Sequence, residues 1–424
     1  MAAEEPPGWL AAGLPHLWLP YAQMKTVPAP LAVARTEGCR IILEDGRALI
    51  DGTASWWTAC HGYNHPHIRD CVARQLATMP HVMFAGLAHE PAARLAARLA
   101  ALLPGDLDHV FFSESGSVAV EIALKMVAQY WVNRGEKRAK IVAFRDAYHG
   151  DTLGAMAVSD PAQGMHRRLA HILPEQIITD LPRDEQGTAA LAALLDRHAQ
   201  EIAAIIIEPL VQGAGGMIFH DRATLQRVRR LADERGQLLI CDEIFTGFGR
   251  TGAMFACAAA DILPDITTLS KALTGGTLPL AATVARHHVF AAFRADDPLA
   301  ALMHGPTFMA NPLACAAANA SLDLFAREDR LAQVAAIAAL LEQELAACRV
   351  LPRVKDVRVV GAIGVVELDH IGDIAALRRR FVEEGVWIRP FGNVIYLTPP
   401  FTIAADELRL LTGAIARILR AGLD

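Results

Sequence analysis

The sequence has no C-x-x-C pair. Its seven cysteines, at positions 39, 60, 71, 241, 257, 315 and 348, are scattered and odd in number. That argues against a disulfide framework and points to reduced cytosolic thiols packed as small apolar groups. No uninterrupted apolar run has the length of a bilayer span. The start, "MAAEEPPGWLAAGLPHLW", lacks a charged residue cluster followed by an apolar run, so it does not read as a signal peptide. A cytoplasmic location and no membrane partner are therefore expected. Basic runs are also missing. Arg378-Arg379-Arg380 sits in a mixed, helix-like segment and the formal net charge is −6, so nucleic acid is not an expected partner.

Several catalytic signatures are absent as well. There is no Walker lysine loop, no G-x-S-x-G and no H-E-x-x-H. "GAGGMI" (213–218) lacks the third glycine of a dinucleotide fingerprint. "HGYNHPH" (61–67) carries three histidines, but no further Cys/His set is spaced for zinc. It reads as a polar turn, and no metal is expected.

What remains is an ordinary globular chain of 424 residues, 53% hydrophobic and 20% charged. That length allows two or three domains and a large core. "CRIILEDGRALIDG" holds two apolar runs around Asp45-Gly46, which predicts a hairpin. "HEPAARLAARLAALLPG" (89–105) predicts a helix stopped by Pro104-Gly105. Short apolar runs follow at "VFF" (110–112), "KIVAF" (140–144), "AAIIIEPL" (203–210), "QLLICDEI" (237–244) and "DITTLS" (265–270), with helix-like chain before most of them. This alternation predicts an α/β fold with a mostly parallel sheet, whose buried strands are unbroken apolar runs. After about residue 315 come one long alanine-rich helix to about 347, a strand over 357–368, a helix over 373–384, a strand over 394–399 and a final helix. This smaller α+β unit is expected to pack with the N-terminal hairpin. The expected division is 1–62 and 326–424 in the small domain and 63–325 in the large one.

In open α/β sheets ligands bind beyond the carboxyl ends of the strands. Read together, those ends supply Ser115-Gly116-Ser117 at a helix start, Tyr148 and His149, Glu208, Asp242, and Lys271, 29 residues after Asp242. Free N–H groups at a helix start favour an anion. A lysine amine can bond a carbonyl cofactor, and a carboxylate can hold a pyridine nitrogen protonated. These are the parts that pyridoxal phosphate needs, although each alone has an ordinary structural reading. Capping explains Ser-Gly-Ser, packing explains Tyr148, and solvation explains a lysine.

The stretches "DEIFTGFGRTG" and "DITTLSKALTGG" resemble the class III (ω-type) pyridoxal-phosphate aminotransferases, and the likeness runs over nearly the whole chain. Within that class, "WLPYAQM", "SWWTACHGYNHP", "YHGDTLGAM", "MHGPTFMANPLACAAANASL" and "GVWIRPFGNVIYLTPP" resemble the branch that serves biotin synthesis, with S-adenosylmethionine as donor and 8-amino-7-oxononanoate as acceptor. The resemblance implies a fold-type I homodimer with active sites shared between subunits. It implies that Lys271 binds the cofactor aldehyde and moves the proton. Asp242 would pair with the pyridine nitrogen, and Gly116 and Ser117 would bind the phosphate. Tyr148 and Ile244 would pack on the two ring faces. Pro306 and Thr307 would complete the phosphate site from the partner subunit. Tyr21 would join Lys271 and Asp242 in the catalytic set. Tyr21, Trp56, Tyr148, Lys271 and Gly305 would line the substrate pocket, and Arg389 would take a carboxylate. Glu208 would lie behind these groups.

The chain departs from that pattern at Leu19, where histidine is common, at Thr53-Ala54, in place of Met-Ser, and at Phe245, in place of a smaller residue. Two other activities stay open on the residues: a transaminase that pairs ω-amino acids with pyruvate, and a pyridoxal-phosphate aminomutase.

Overall fold

A computed structural model describes residues 6–160 and 166–422. Near the N-terminus, β1 (Val33–Glu37), β2 (Arg40–Leu43) and β3 (Ala48–Asp51) form an antiparallel meander, and the turn between β2 and β3 is the expected Asp45-Gly46. The central sheet follows. Its strands are β4 (Leu107–Ser113), β5 (Lys140–Phe144), β6 (Ile177–Thr179), β7 (Ile202–Ile207), β10 (Leu238–Asp242), β11 (Ile266–Leu269) and β12 (Ala281–Arg286). Between β7 and β10 lies a two-stranded ribbon, β8 (Val211–Gln212) and β9 (Ile218–Phe219).

The order across the central sheet is β4-β12-β11-β10-β7-β5-β6. The pairs from β11 through β6 are parallel, and β12 runs against both β11 and β4. Six strands therefore share one direction, as a mostly parallel sheet requires. β12 has little signature in the sequence. "AATVAR" is small and alanine-rich, so its apolar signal is weak, yet Ala281–Ala285 are all buried. Every residue of β7, "IAAIII", is buried. Each large aliphatic side chain withdrawn from water in this way contributes about 1.5–3 kcal/mol.

The C-terminal part corrects two expectations. The long helix over 315–347 is two helices, Pro312–Arg327 and Arg330–Leu345, because Glu328, in extended backbone, ends the first and Asp329 caps the second by accepting from Ala332 N–H. The single strand over 357–368 is a hairpin of β13 (Val354–Val360) and β14 (Ile363–Leu368). Its turn falls at Gly361, whose φ of +53° suits glycine, and a Cβ there would lie 2.4 Å from the Arg250 carbonyl oxygen. The chain ends with β15 (Val386–Trp387), β16 (Val394–Leu397) and the helix Ala405–Ala421. β16 pairs with β14, and β15 runs parallel to β3 with Asp51 opposite Trp387. The two ends of the sequence thus meet in one sheet.

Arg330–Val350 is long and apolar enough, by length and hydropathy alone, to cross a membrane, but Glu342, Glu344 and Arg349 interrupt it, so it is no uninterrupted apolar run. In the fold its Val334, Ile337, Leu341 and Leu345 are buried, and the segment packs on β13, β14 and the last helix.

Candidate functional site

The shared strand direction brings five loop starts to one edge. Gly116-Ser117 follow β4, Tyr148 follows β5, Glu208 follows β7, Asp242 ends β10 and Lys271 follows β11.

Asp242 is buried at the sheet edge. One carboxylate oxygen lies 2.7 Å from His149 Nδ1, and the other accepts from Thr268 Oγ1 (3.0 Å) and Ile244 N–H (3.1 Å). His149 is completely buried. Burial opposes its charge, but the Asp242 hydrogen bond and the negative charges of Asp242 and Glu208 win, and its pKa is raised. Glu208 accepts from the backbone N–H of Tyr148 (3.0 Å) and of Gly213 (2.9 Å). Burial pushes its carboxyl up to about 7.

Lys271 has a left-handed backbone, with φ +49°. Its ammonium lies 4.1 Å from the Trp57 ring centroid and 5.8 Å from that of Phe245. Among the described residues no carboxylate pairs directly with it. Burial lowers its pKa to about 8, against the opposing pull of Asp242 and Glu208. A lysine tuned this way can act as a nucleophile and as a base near neutrality.

The helix Gly116–Asn133 begins beside this group. Ser115 caps it by accepting from Val118 N–H, 3.3 Å away. The cap leaves the N–H groups of Gly116 and Ser117 free for an anion, at the positive end of an 18-residue helix. A Cβ on Gly116 would stand 3.0 Å from Ile244, so the residue must be small for Ile244 to pack there. Ser117 Oγ accepts from Thr152 N–H and lies 2.9 Å from Thr152 Oγ1.

A polar wall stands across the cleft. The Tyr148 hydroxyl lies 3.1 Å from the Tyr21 hydroxyl and 3.0 Å from Asp151 Oδ1, and Tyr21 also hydrogen-bonds Asp151. Burial and Asp151 raise Tyr21 to about 12. Tyr21 meets Trp56 edge-on at 6.0 Å, and the Arg389 guanidinium lies 4.2 Å over the Trp56 ring.

The tryptophans are carried by an unusual turn. Ala54, Ser55, Trp56 and Trp57 all have positive φ, between +46° and +74°. A left-handed residue costs about 1–2 kcal/mol, so such a turn must be held from outside.

The structure therefore unites Lys271, Asp242, Gly116, Ser117, Tyr148, Ile244, Tyr21, Trp56 and Arg389 around one cleft. Gly305, Pro306 and Thr307 stand apart from it. Among the described residues their segment meets Lys125 through His304 (2.9 Å) and His81 through Phe308, and it is largely exposed. Two partners were not evident in the sequence: His149 against Asp242, and Asp151 between the two tyrosines. Only their place in "YHGD", at a strand end, could have flagged them. Trp57, beside Trp56, lies on Lys271.

These residues fit pyridoxal phosphate: free N–H groups for the phosphate, an unpaired amine for the aldehyde and a buried carboxylate for the ring nitrogen. The comparisons agree. The pattern of the Aminotransferase class-III family matches residues 21–419. A Synechococcus elongatus protein named adenosylmethionine-8-amino-7-oxononanoate aminotransferase is 44% identical over 421 residues, covering 96% of this chain and 98% of the other. The crystal structure of the Methanocaldococcus jannaschii protein of that name superposes with a TM-score of 0.92 at 32% identity, over 97% of this chain and 98% of the other. An (S)-enantioselective ω-transaminase from Thermomicrobium roseum gives a TM-score of 0.91 at 31% identity, over 98% of each chain. The chain belongs to the class-III aminotransferases, a family of pyridoxal-phosphate-dependent enzymes.

Proposed function

We propose that this aminotransferase moves the amino group of S-adenosylmethionine to 8-amino-7-oxononanoate, making 7,8-diaminononanoate in biotin synthesis. The observation that carries the reading is the single cleft in which Lys271 faces Trp57 and Arg389 lies over Trp56. Donor and acceptor must use that cleft in turn, and an aromatic wall with one guanidinium suits two long, dissimilar substrates. The relatives bearing the name of this activity support it.

Bound there, pyridoxal phosphate would supply a carbonyl for an amino group and an electron-withdrawing ring. Lys271 would hold the cofactor, and its amine, with its lowered pKa, would move the proton at the substrate carbon. Asp242 holds the ring nitrogen protonated, with His149 fixing the carboxylate. The Gly116 and Ser117 N–H groups bind the phosphate. Ile244 and Tyr148 confine the ring. Arg389 grips a substrate carboxylate in bidentate fashion, and Tyr21, Trp56 and Gly305 shape the pocket.

Pro306 and Thr307 complete the phosphate contacts of a partner subunit in a homodimer. The exposure of Leu299, Met303 and Phe308 on the same segment supports this, at 79%, 80% and 58%. The domain division at 62 and 325 is part of the same reading, supported by the pairing of β3 with β15. A cytoplasmic location is consistent with it.

Transfer of isotopically labelled amino nitrogen from S-adenosylmethionine into 7,8-diaminononanoate tests the proposal. Label in the product is expected. Transfer from ω-amino acids alone favours the second reading, to which the likeness to the Thermomicrobium roseum enzyme lends weight. Nitrogen retained on one molecule would mean an aminomutase.

A further inference from the structure

The turn that carries both tryptophans needs a restraint, and one buried carboxylate provides it. Asp51 ends β3 and is completely buried. One of its oxygens accepts from Thr53 N–H (2.7 Å) and Thr53 Oγ1 (2.8 Å). The other accepts from Ser55 N–H (2.8 Å) and the Tyr63 hydroxyl (2.7 Å). Four donors fill the acceptor capacity of a carboxylate. Two of them are backbone N–H groups at the entry to the left-handed run 54–57. Among the described residues no cation pairs with Asp51, so its charge is spent on this turn and on Tyr63.

The surroundings point the same way. Asp51 sits opposite Trp387 in the register of β3 and β15, and Gly52 N–H donates to the Trp387 carbonyl at 2.9 Å. Arg389 lies two residues beyond Trp387. A Cβ on Gly52 would stand 2.9 Å from Leu397 and 3.3 Å from Ile388, so the turn is pressed against the strand leading to Arg389. The same short segment thus fixes where Trp56 meets Arg389 and where Trp57 meets Lys271.

We infer that Asp51 is a positioning residue: its carboxylate holds the left-handed turn 54–57, which sets Trp56 on Arg389 and Trp57 on Lys271. The inference rests on the proposed roles of Arg389 and Lys271 in the cleft. Its spectroscopic readouts, however, involve no amino donor, so they stand or fall apart from the donor assignment.

Asp51→Asn keeps shape but turns an acceptor into a donor facing N–H groups. In the cofactor-free protein we expect loss of the near-ultraviolet circular dichroism of the tryptophans, with the far-ultraviolet spectrum retained. In the loaded enzyme we expect KM to rise by about tenfold or more with a smaller change in kcat, as misplaced contact groups give. Ser55→Gly, which removes the left-handed penalty at an exposed position, should restore much of both signals in the Asp51→Asn background. Tyr63→Phe should leave both nearly unchanged. If Asp51→Asn fails to fold, Thr53→Val, which deletes one of the four bonds, should shift the same readouts in the same direction. An unaltered tryptophan signal and KM in Asp51→Asn or Thr53→Val would overturn the inference. So would a loss that Tyr63→Phe reproduces and Ser55→Gly does not relieve.

Discussion

Two regions of this molecule carry the proposed chemistry, and they are built in opposite ways. At the sheet edge, the buried carboxylates have their hydrogen-bond partners within the chain. Asp242 is held by His149, Thr268 and Ile244, and Glu208 by two backbone N–H groups. The segment 299–308 instead projects Leu299, Met303 and Phe308 into solvent. A buried sheet edge holds charges in fixed places because leaving them unpaired would be costly. An exposed apolar segment gains by being covered. The first region is held by contacts within one chain; the second presents apolar side chains that a covering surface would bury.

The sharpest way to break this comparison is at the sheet edge. Lys271→Ala should lower turnover by about a thousandfold or more, since nucleophile and base are lost together, and steady-state assay checks it. Retained multiple turnovers would contradict the assignment. Asp242→Asn should cost about a hundredfold or more in kcat while the protein still folds, because it removes a fixed charge aimed at the ring. Arg389→Lys should act chiefly on KM for the carboxylate substrate, by about tenfold, because an ammonium cannot form the two parallel bonds of a guanidinium. At the exposed segment, Met303→Asp should leave the melting temperature nearly unchanged. It should weaken self-association by sedimentation and, with it, retention of the cofactor.

The smallest effect concerns pH. Lys271 is lowered from 10.5 to about 8 in the folded chain. Between those values the unfolded state binds a proton that the folded state does not, so cofactor-free stability falls as pH drops through the window and the penalty is complete below pH 8. Cofactor-free Lys271→Met should therefore melt higher than the parent at pH 7, with the gap closing toward pH 10.5. Glu208, raised from 4.5 to about 7, has the opposite slope: the folded state keeps a proton the unfolded state has lost, so stability falls as pH rises between them.

The comparison also explains what the sequence revealed. Parallel strands buried on both faces leave unbroken apolar runs, so β5, β7, β10 and β11 could be read, and with them the places of Tyr148, Glu208, Asp242 and Lys271. β12 was hidden because alanine and threonine give little contrast. The hairpin at Gly361 was hidden inside an apolar run, whereas the break at Asp329 falls in the charged stretch Arg327-Glu328-Asp329-Arg330, which a continuous helix could also carry on its surface. Pairings across the fold, such as His149 with Asp242 and Asp151 with Tyr21, depend on tertiary contacts that no local pattern encodes. The roles of Arg389, Trp56 and Thr307 came from family resemblance, because a lone arginine or threonine carries no periodic signal.

A half-reaction tests the donor assignment. The enzyme loaded with pyridoxal phosphate is mixed with S-adenosylmethionine alone, and the visible absorbance of the lysine-bound cofactor is followed. This band is expected to be lost, and 8-amino-7-oxononanoate is expected to restore it. A band that S-adenosylmethionine leaves intact, while lysine or an ω-amino acid removes it, would contradict the proposed donor.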